Sequence, residues 1–281
     1  MFGVAVNHFR KPDHPLSVLQ STKFALSLLK SCVEVTTIVL IDSSGRHDAD
    51  LESFCQSIGV IYKHYDRVLS FAESYNFGVA CLEEDWVVTM ASDIYVRGDT
   101  FGRFKRFIED NPTVPIGCLI PYLSSCVYPV QEASDNMLRH TCYSGIMTYN
   151  LNVFPKQVFQ EIGGLSEKYS GNFNDIDTCI QLKKKNLRVV LVNIFVHHFG
   201  GMTLQHGTNV KGEADFVQFQ SEYPDFTADS GLFQVRLDKL LEHSLLRLVS
   251  QASLTIKPRR LRPRLEAWVH SKLSRLQRIS G

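Results

Sequence analysis

Apolar runs that end on a polar residue, separated by helix-patterned segments, constrain this chain most. Phe2–Asn7 reads FGVAVN. Thr36–Ile41 reads TTIVLI and leads into the DSSG turn at Asp42–Gly45. Trp86–Met90 reads WVVTM and runs out at Ser92 and Asp93. Between and beyond them, Pro15–Cys32, Ala49–Ile58, Phe71–Leu82 and Thr100–Glu109 carry helical apolar spacing, for example Leu16, Leu19, Phe24, Leu28 and Leu29 in the first. Val60–Tyr62, Ile116–Ile120, Ser144–Tyr149 and Arg188–Val196 read as further strands. Alternation of this kind predicts an α/β fold with a mostly parallel central sheet flanked by helices.

The stretch from Gly163 to Thr203 carries the most chemistry. Pro155–Ile162 reads as a helix with Pro at its start and Gly163 beyond its end. A Gly-Gly turn then leads to Asp175 and Asp177, at the start of a helix predicted over Asp175–Lys184. Carboxylates there are favoured by the helix dipole, which would explain one of them. A spacing of two sends the pair to different faces, so one can face a pocket while the other caps or packs. A pocket carboxylate could take a proton from an acceptor hydroxyl. The strand Arg188–Val196 runs into His197 and His198, and strand alternation turns these to opposite faces. One of them is a candidate metal or phosphate contact, and Gly200-Gly201 beyond lets backbone approach a ligand closely.

Asp93 follows an apolar run, where a carboxylate can hold a divalent cation that bridges a diphosphate. Asp42 ends its own run, where acidic residues of nucleotide folds meet a base or ribose. Turn chemistry alone would also account for either residue. Open α/β sheets place their ligands at the carboxyl ends of strands, where these residues fall.

Composition narrows the classes. Hydrophobic residues make up 44% of the 281, enough for a sizeable core. Seven cysteines, an odd number without a CxxC pair, predict a reducing compartment with neither a disulfide framework nor a structural zinc site. The chain opens on a strand-like run without a basic-then-apolar leader, so the expectation is a cytoplasmic protein. The net charge of +1 is uneven. Lys257–Gly281 holds eight Lys/Arg against one Glu, which leaves an acidic body. Leu265–Ile279 reads as an amphipathic helix with Leu265, Trp268, Val269, Leu273, Leu276 and Ile279 on one side. A basic tail with an apolar stripe suits either packing on the body or the inner face of an anionic membrane. No nucleic-acid motif appears, and the body is not basic, so nucleic acid is not an expected partner. Two domains are expected: 1–208, and a helical extension over 209–281 with candidate helices at Val210–Tyr223 and Phe233–Val249.

In this order along the chain, the motifs resemble a family-2-like glycosyltransferase with the GT-A fold, from Phe2 to Thr203. VAVNHFR and TTIVLIDSSG resemble the nucleotide-binding strands, and VVTMASDIYV resembles the segment with the metal-binding DxD-type motif. YSGIMTYN resembles the donor-side Gly strand, NDIDTCIQL the Glu-Asp-x-Asp helix start, and HFGGMT the closing His-x-Gly-Gly-x-Ser motif. The resemblance implies that Asp175 is the catalytic base of an inverting enzyme. It implies that Asp93 and His198 hold Mn2+ or Mg2+, that Asn7 and Asp42 line the nucleotide pocket, and that Gly145 lies near the donor sugar.

Three departures stand out. Asn174 replaces the usual Glu. Neither Ala91 nor Tyr95 can supply the second carboxylate of a DxD pair. Leu165 and Ser166 replace the usual Phe-Asp after Gly-Gly. The expected partners are a nucleotide-sugar donor and a glycan or lipid-linked acceptor. The rival expectations are a nucleotidyltransferase, which lacks the Lys-containing triphosphate loop it would need, and a non-catalytic sugar- or nucleotide-binding module.

Overall fold

A computed structural model describes residues 1–11, 13–125, 141–143, 150–170, 173–199 and 212–224. The chain alternates as expected through its first half. Strand β1 (Phe2–His8) leads to helix α1 (Leu16–Lys30), β2 (Val35–Asp42) to α2 (Ala49–Ser57), and β3 (Ile61–His64) to α3 (Phe71–Ala80). Then come β4 (Trp86–Ala91), β5 (Ile94–Tyr95) and α4 (Thr100–Asp110). The second half holds β6 (Ile116–Ser125), β7 (Thr141–Tyr143), β8 (Leu151–Pro155), α5 (Lys156–Glu161), α6 (Asn174–Lys184), β9 (Arg188–His198) and α7 (Gly212–Glu222).

The strands form one sheet in the order β3-β2-β1-β4-β8-β6-β9-β5, with β7 also paired to β9. Strands β1 to β4, β6 and β9 run one way, and β5, β7 and β8 run against them. The parallel direction therefore dominates, and helices cover both faces. One face packs Val4, Val6, Ile38 and Leu40 against Leu26 and Leu29 of α1, Leu51 and Cys55 of α2, and Phe101, Phe104 and Phe107 of α4. The other packs Ala5, Val39 and Ile41 against Tyr75 and Val79 of α3, Phe159 of α5, and Cys179 and Leu182 of α6. Burial pushes the Cys32 thiol up to about 11 and the Cys55 thiol up to about 12, which suits small core residues rather than reactive ones.

Several elements differ from the sequence expectation. Strand β3 begins one residue later than expected and reaches His64. Strand β6 continues through Pro121 to Ser125, because its register against β9 shifts at Pro121/Tyr122, and such an irregularity tolerates the missing N–H. The residues LNVFP form β8, pairing with β4 on one side and β6 on the other, and only then does α5 start at Lys156. Short β5 and β7 were not expected at all. The candidate strand Ser144–Tyr149, with Gly145, lies outside the described residues, as do both helices predicted beyond Pro224.

Two features of α3 lock the first half of the chain. Ser70 caps the helix: its hydroxyl accepts the Glu73 N–H, and the Glu73 carboxylate accepts the Ser70 N–H at 2.7 Å. Glu73 also pairs with Arg67 at 2.7 Å. That pairing, with the Ser70 bonds, holds its carboxyl down at about 2 against the opposing effect of burial. Further along, a Cβ on Gly78 would stand 2.6 Å from the Cβ of Ala5, so α3 lies on β1 as closely as a glycine permits.

Gly78→Ala should therefore destabilise the protein although Ala is the better helix former. Overpacking costs about 1–3 kcal/mol and helix propensity returns about 1 kcal/mol. A lower urea midpoint is the expected result, and an unchanged or higher midpoint would refute the close packing. Glu73→Ala should cost stability at neutral pH. Because the folded carboxyl titrates below its ordinary value of 4.5, that cost should be complete above pH 4.5 and shrink as pH falls towards 2. Paired urea titrations at pH 7, 4 and 3 would measure it.

Candidate functional site

The carboxyl edge of the parallel strands gathers the polar residues. Asn7 sits opposite Ile41 and Ala91, and His8 opposite Asp42. Beyond β4 the chain turns through Ser92 and Asp93 into β5, which pairs antiparallel with the end of β9: Ile94 faces His198, and Tyr95 faces His197. The Phe199 N–H donates to the Asp93 carbonyl at 2.9 Å and fixes this turn against β9.

Asp93 and His198 are brought together by that pairing. His198 Nε2 lies 3.4 Å from Asp93 Oδ2, with both side chains mostly buried, at 21% and 15% exposure. His197 turns away and stacks on Tyr95, ring centroids 5.9 Å apart. The two histidines thus divide between faces as strand alternation requires. Two ligands of one cation, each about 2.1 Å from it and at right angles, stand about 3 Å apart, so this N···O spacing fits a shared divalent ion. A carboxylate with an imidazole suits Mn2+ better than Mg2+, which prefers an all-oxygen shell. Among the described residues no cluster of three or more metal-ligating side chains occurs.

A second station lies at the ends of β1 and β2. Asp42 is fully buried, and its carboxylate is held within the protein. Tyr62 Oη donates to Oδ2 at 2.7 Å, and the Ser44 N–H donates to Oδ1 at 3.1 Å. Ser43 Oγ lies 2.8 Å from both Asn7 Oδ1 and the His8 carbonyl. Ser44 Oγ accepts the Arg10 N–H, and the Arg10 guanidinium pairs with Asp48 at 3.1 Å. Asp42 thereby shapes the turn between β2 and α2.

His8, which nothing in the sequence sets apart, is fully buried beside this station. The Thr22 hydroxyl gives its proton to the Val18 carbonyl, so it accepts from His8 Nδ1 at 2.9 Å. Nε2 is then the unprotonated nitrogen, and it makes no hydrogen bond among the described residues. Burial holds the His8 pKa below its ordinary value, against the pull of Asp42 and Asp48.

The third station is the start of α6. The helix is capped by Phe173, whose φ of 66° is left-handed. For a bulky residue that backbone costs on the order of 1–3 kcal/mol. Asn174 is buried, and its Nδ2 donates to the carbonyls of Ser166 (2.7 Å) and Tyr169 (3.2 Å). Asp175 is half-buried, and its Oδ1 accepts the Ile176 N–H at 2.9 Å. Asp177 is buried and accepts the Tyr223 hydroxyl. Of the two carboxylates, Asp177 packs and Asp175 keeps partial access to solvent.

The loop before α6 is held from α3. Asn76 Oδ1 accepts the Leu165 N–H at 2.8 Å and its Nδ2 donates to the Leu165 carbonyl at 2.9 Å, as a strand neighbour would. Gly164 has φ 76°, and a Cβ there would lie 2.6 Å from Asn76 Oδ1, so both Gly-Gly and Asn76 belong to one turn. A surface depression is lined by Ala214, Val217, Gln218, Ser221 and Glu222 of α7. Gly145, Gly200 and Gly201 fall outside the described residues.

No protein-family model matches the chain, and no curated protein matches its sequence. Solved structures do share its fold. S. aureus TarS 1–349 in complex with UDP-GlcNAc is 12% identical, with a TM-score of 0.58 over 87% of this chain and 71% of that one. S. aureus TarS 1–349 without a named ligand is 12% identical at TM-score 0.53, over 71% of this chain and 60% of that one. S. aureus TarS is 11% identical at TM-score 0.56, over 87% and 42%. The chain thus spans well under two thirds of the whole of TarS. At these identities the likeness concerns architecture: the chain has a GT-A-like fold, a mixed α/β structure with helices on both sides of its sheet.

Proposed function

We propose that this chain is a metal-dependent, inverting glycosyltransferase that moves a sugar from a nucleotide-diphosphate donor to a hydroxyl of a glycan or lipid-linked acceptor. The observation that carries the reading is the Asp93–His198 pair at the carboxyl edge of the sheet. Structures of the same architecture hold UDP and UDP-GlcNAc, so a UDP-sugar is the first donor to try. Asn7 and the turn built on Asp42 would form the wall for the nucleoside.

Asp93 and His198 would hold Mn2+ or Mg2+, which supplies positive charge for the leaving diphosphate. Asp175 takes the proton from the acceptor hydroxyl. That oxygen bonds to the anomeric carbon as the carbon–oxygen bond to the diphosphate breaks, and configuration inverts. Asp177 cannot serve instead, because it is buried and accepts from Tyr223. The basic tail over 257–281 favours an acceptor presented at an anionic membrane. Among the described residues no helix is long and apolar enough to cross one.

A thermal-shift panel of UDP, GDP, dTDP and CDP, each with and without Mn2+, tests the donor site. A ligand that binds only the folded protein stabilises it, and the gain grows with the logarithm of its concentration over its dissociation constant. A Mn2+-dependent rise in Tm with one nucleotide is expected, and Asp93→Ala should abolish the metal dependence. No shift with any nucleotide would remove the proposal. Asp175→Asn should keep that shift and lose about 100-fold or more in turnover, the scale of general-base catalysis. Turnover at the wild-type rate would exclude Asp175 as the base.

A further inference from the structure

Helix α7 is attached to the body through the Asp175 region. A small apolar cluster separate from the two main cores joins Phe219 to Tyr169, Phe173, Ile176 and Ile180. Phe219 stacks on Phe173, centroids 4.9 Å apart and planes 21° from parallel. Polar contacts surround the stack. Buried Asp215 accepts the Ser170 N–H at 2.8 Å and faces its hydroxyl with both oxygens at 3.0 Å. Glu222 pairs with Lys168 at 3.0 Å and accepts the Tyr169 hydroxyl at 3.3 Å. Tyr223 donates to Asp177, accepts from Gln181 Nε2 at 3.0 Å, and lies under the Lys184 ammonium.

These contacts fall on both sides of Asp175. Tyr169, Ser170 and Phe173 precede it, and Ile176, Asp177, Ile180 and Gln181 follow it. Phe173 is the left-handed residue that sets the direction in which α6 begins. A bulky residue keeps such a backbone only where its surroundings over-determine it, and here the surroundings include a ring from α7.

We propose that α7 is a strap that fixes the first turn of α6, with Phe219 and Tyr223 as positioning residues for the Asp175 carboxylate. The proposal rests on the reading of Asp175 as the base, and it assigns to the segment after β9 a role in turnover rather than in donor binding. With the strap loosened, Phe173 is freed to leave the left-handed region, and the first turn of α6 shifts with it. Small displacements of a catalytic group are costly in rate, about 100-fold for 1 Å.

The test uses the full chain, with Phe219→Ala and the milder Tyr223→Phe. Hydrogen exchange is read on peptides across Ser166–Thr178 and on peptides from β1, β2 and β4. The expected result is exchange about 10-fold faster in the first set for Phe219→Ala, a smaller change for Tyr223→Phe, and no change in the second set. Unchanged exchange across Ser166–Thr178 would overturn the strap. Equal acceleration everywhere in Tyr223→Phe would overturn it too, since it would show only general loosening. With UDP-sugar turnover as the second readout, kcat should fall about 10-fold or more while the donor KM and the UDP thermal shift stay at wild-type values. A wild-type kcat in a variant whose turn has loosened would overturn the positioning role. If the wild-type chain turns over no nucleotide sugar, the glycosyltransferase reading fails, and the exchange data still decide whether α7 holds the turn.

Discussion

Burial of the parallel strands on both faces is the constraint from which the rest follows. Val4 and Val6 pack towards α1 and α4 while Ala5 packs towards α3, and all three are fully buried. A strand in that position has no wet face, so its polar side chains collect where it leaves the sheet. Helical crossovers return β1, β2 and β4 in the same direction, so their carboxyl ends lie together. Asn7, His8, Asp42 and Asp93 are at one edge for a packing reason, before any ligand is considered. Chemistry is added to an edge that the core has already made polar.

The polar groups at that edge are not equivalent. Asp42 is tied down by Tyr62 and Ser44, which makes it part of the turn between β2 and α2. Asp93 and His198 reach each other at 3.4 Å, a distance too long for a good hydrogen bond and close to the spacing of two ligands on one ion. The pair depends on β5, only two residues long, and on the backbone bond from Phe199 to the Asp93 carbonyl. A minor element therefore decides whether the carboxylate from one half of the sheet meets the imidazole from the other.

The parts legible in the sequence were those governed by local rules. Long apolar runs gave β1, β2, β4 and β9, and the spacing of phenylalanines in α4 gave a helix whose Phe101, Phe104 and Phe107 are buried. Alternation separated His197 from His198, and the two-residue step separated Asp175 from Asp177. Elements defined by partners stayed hidden. Strand β8 is not legible because Asn152 interrupts its apolar run and Pro155 mimics a helix start, yet Asn152 lies opposite Thr89 in the sheet, with its Nδ2 3.4 Å from the Thr89 hydroxyl. Strands β5 and β7 are too short to carry a period. The burial of His8, the Asn76 clamp and the docking of α7 are long-range matters that no window of sequence contains. The helix expected at Val210–Tyr223 is present as α7, but its target on α6 was not foreseeable.

Asn174 shows why a departure from a motif need not be a loss. The resemblance places a carboxylate here, and a carboxylate can only accept hydrogen bonds when ionised. In this chain the side chain points inward and donates twice, to the carbonyls of Ser166 and Tyr169. A Glu in the same pose would set negative charge against two carbonyl oxygens inside a nearly dry site, a repulsion that burial amplifies. The amide nitrogen is therefore matched to the loop that follows Gly164, whose Leu165 and Ser166 are the other departures. The changes at 165, 166 and 174 fall within a single hydrogen-bonded turn. They are one structural solution for delivering the chain into α6, with Asp175 kept at its first turn.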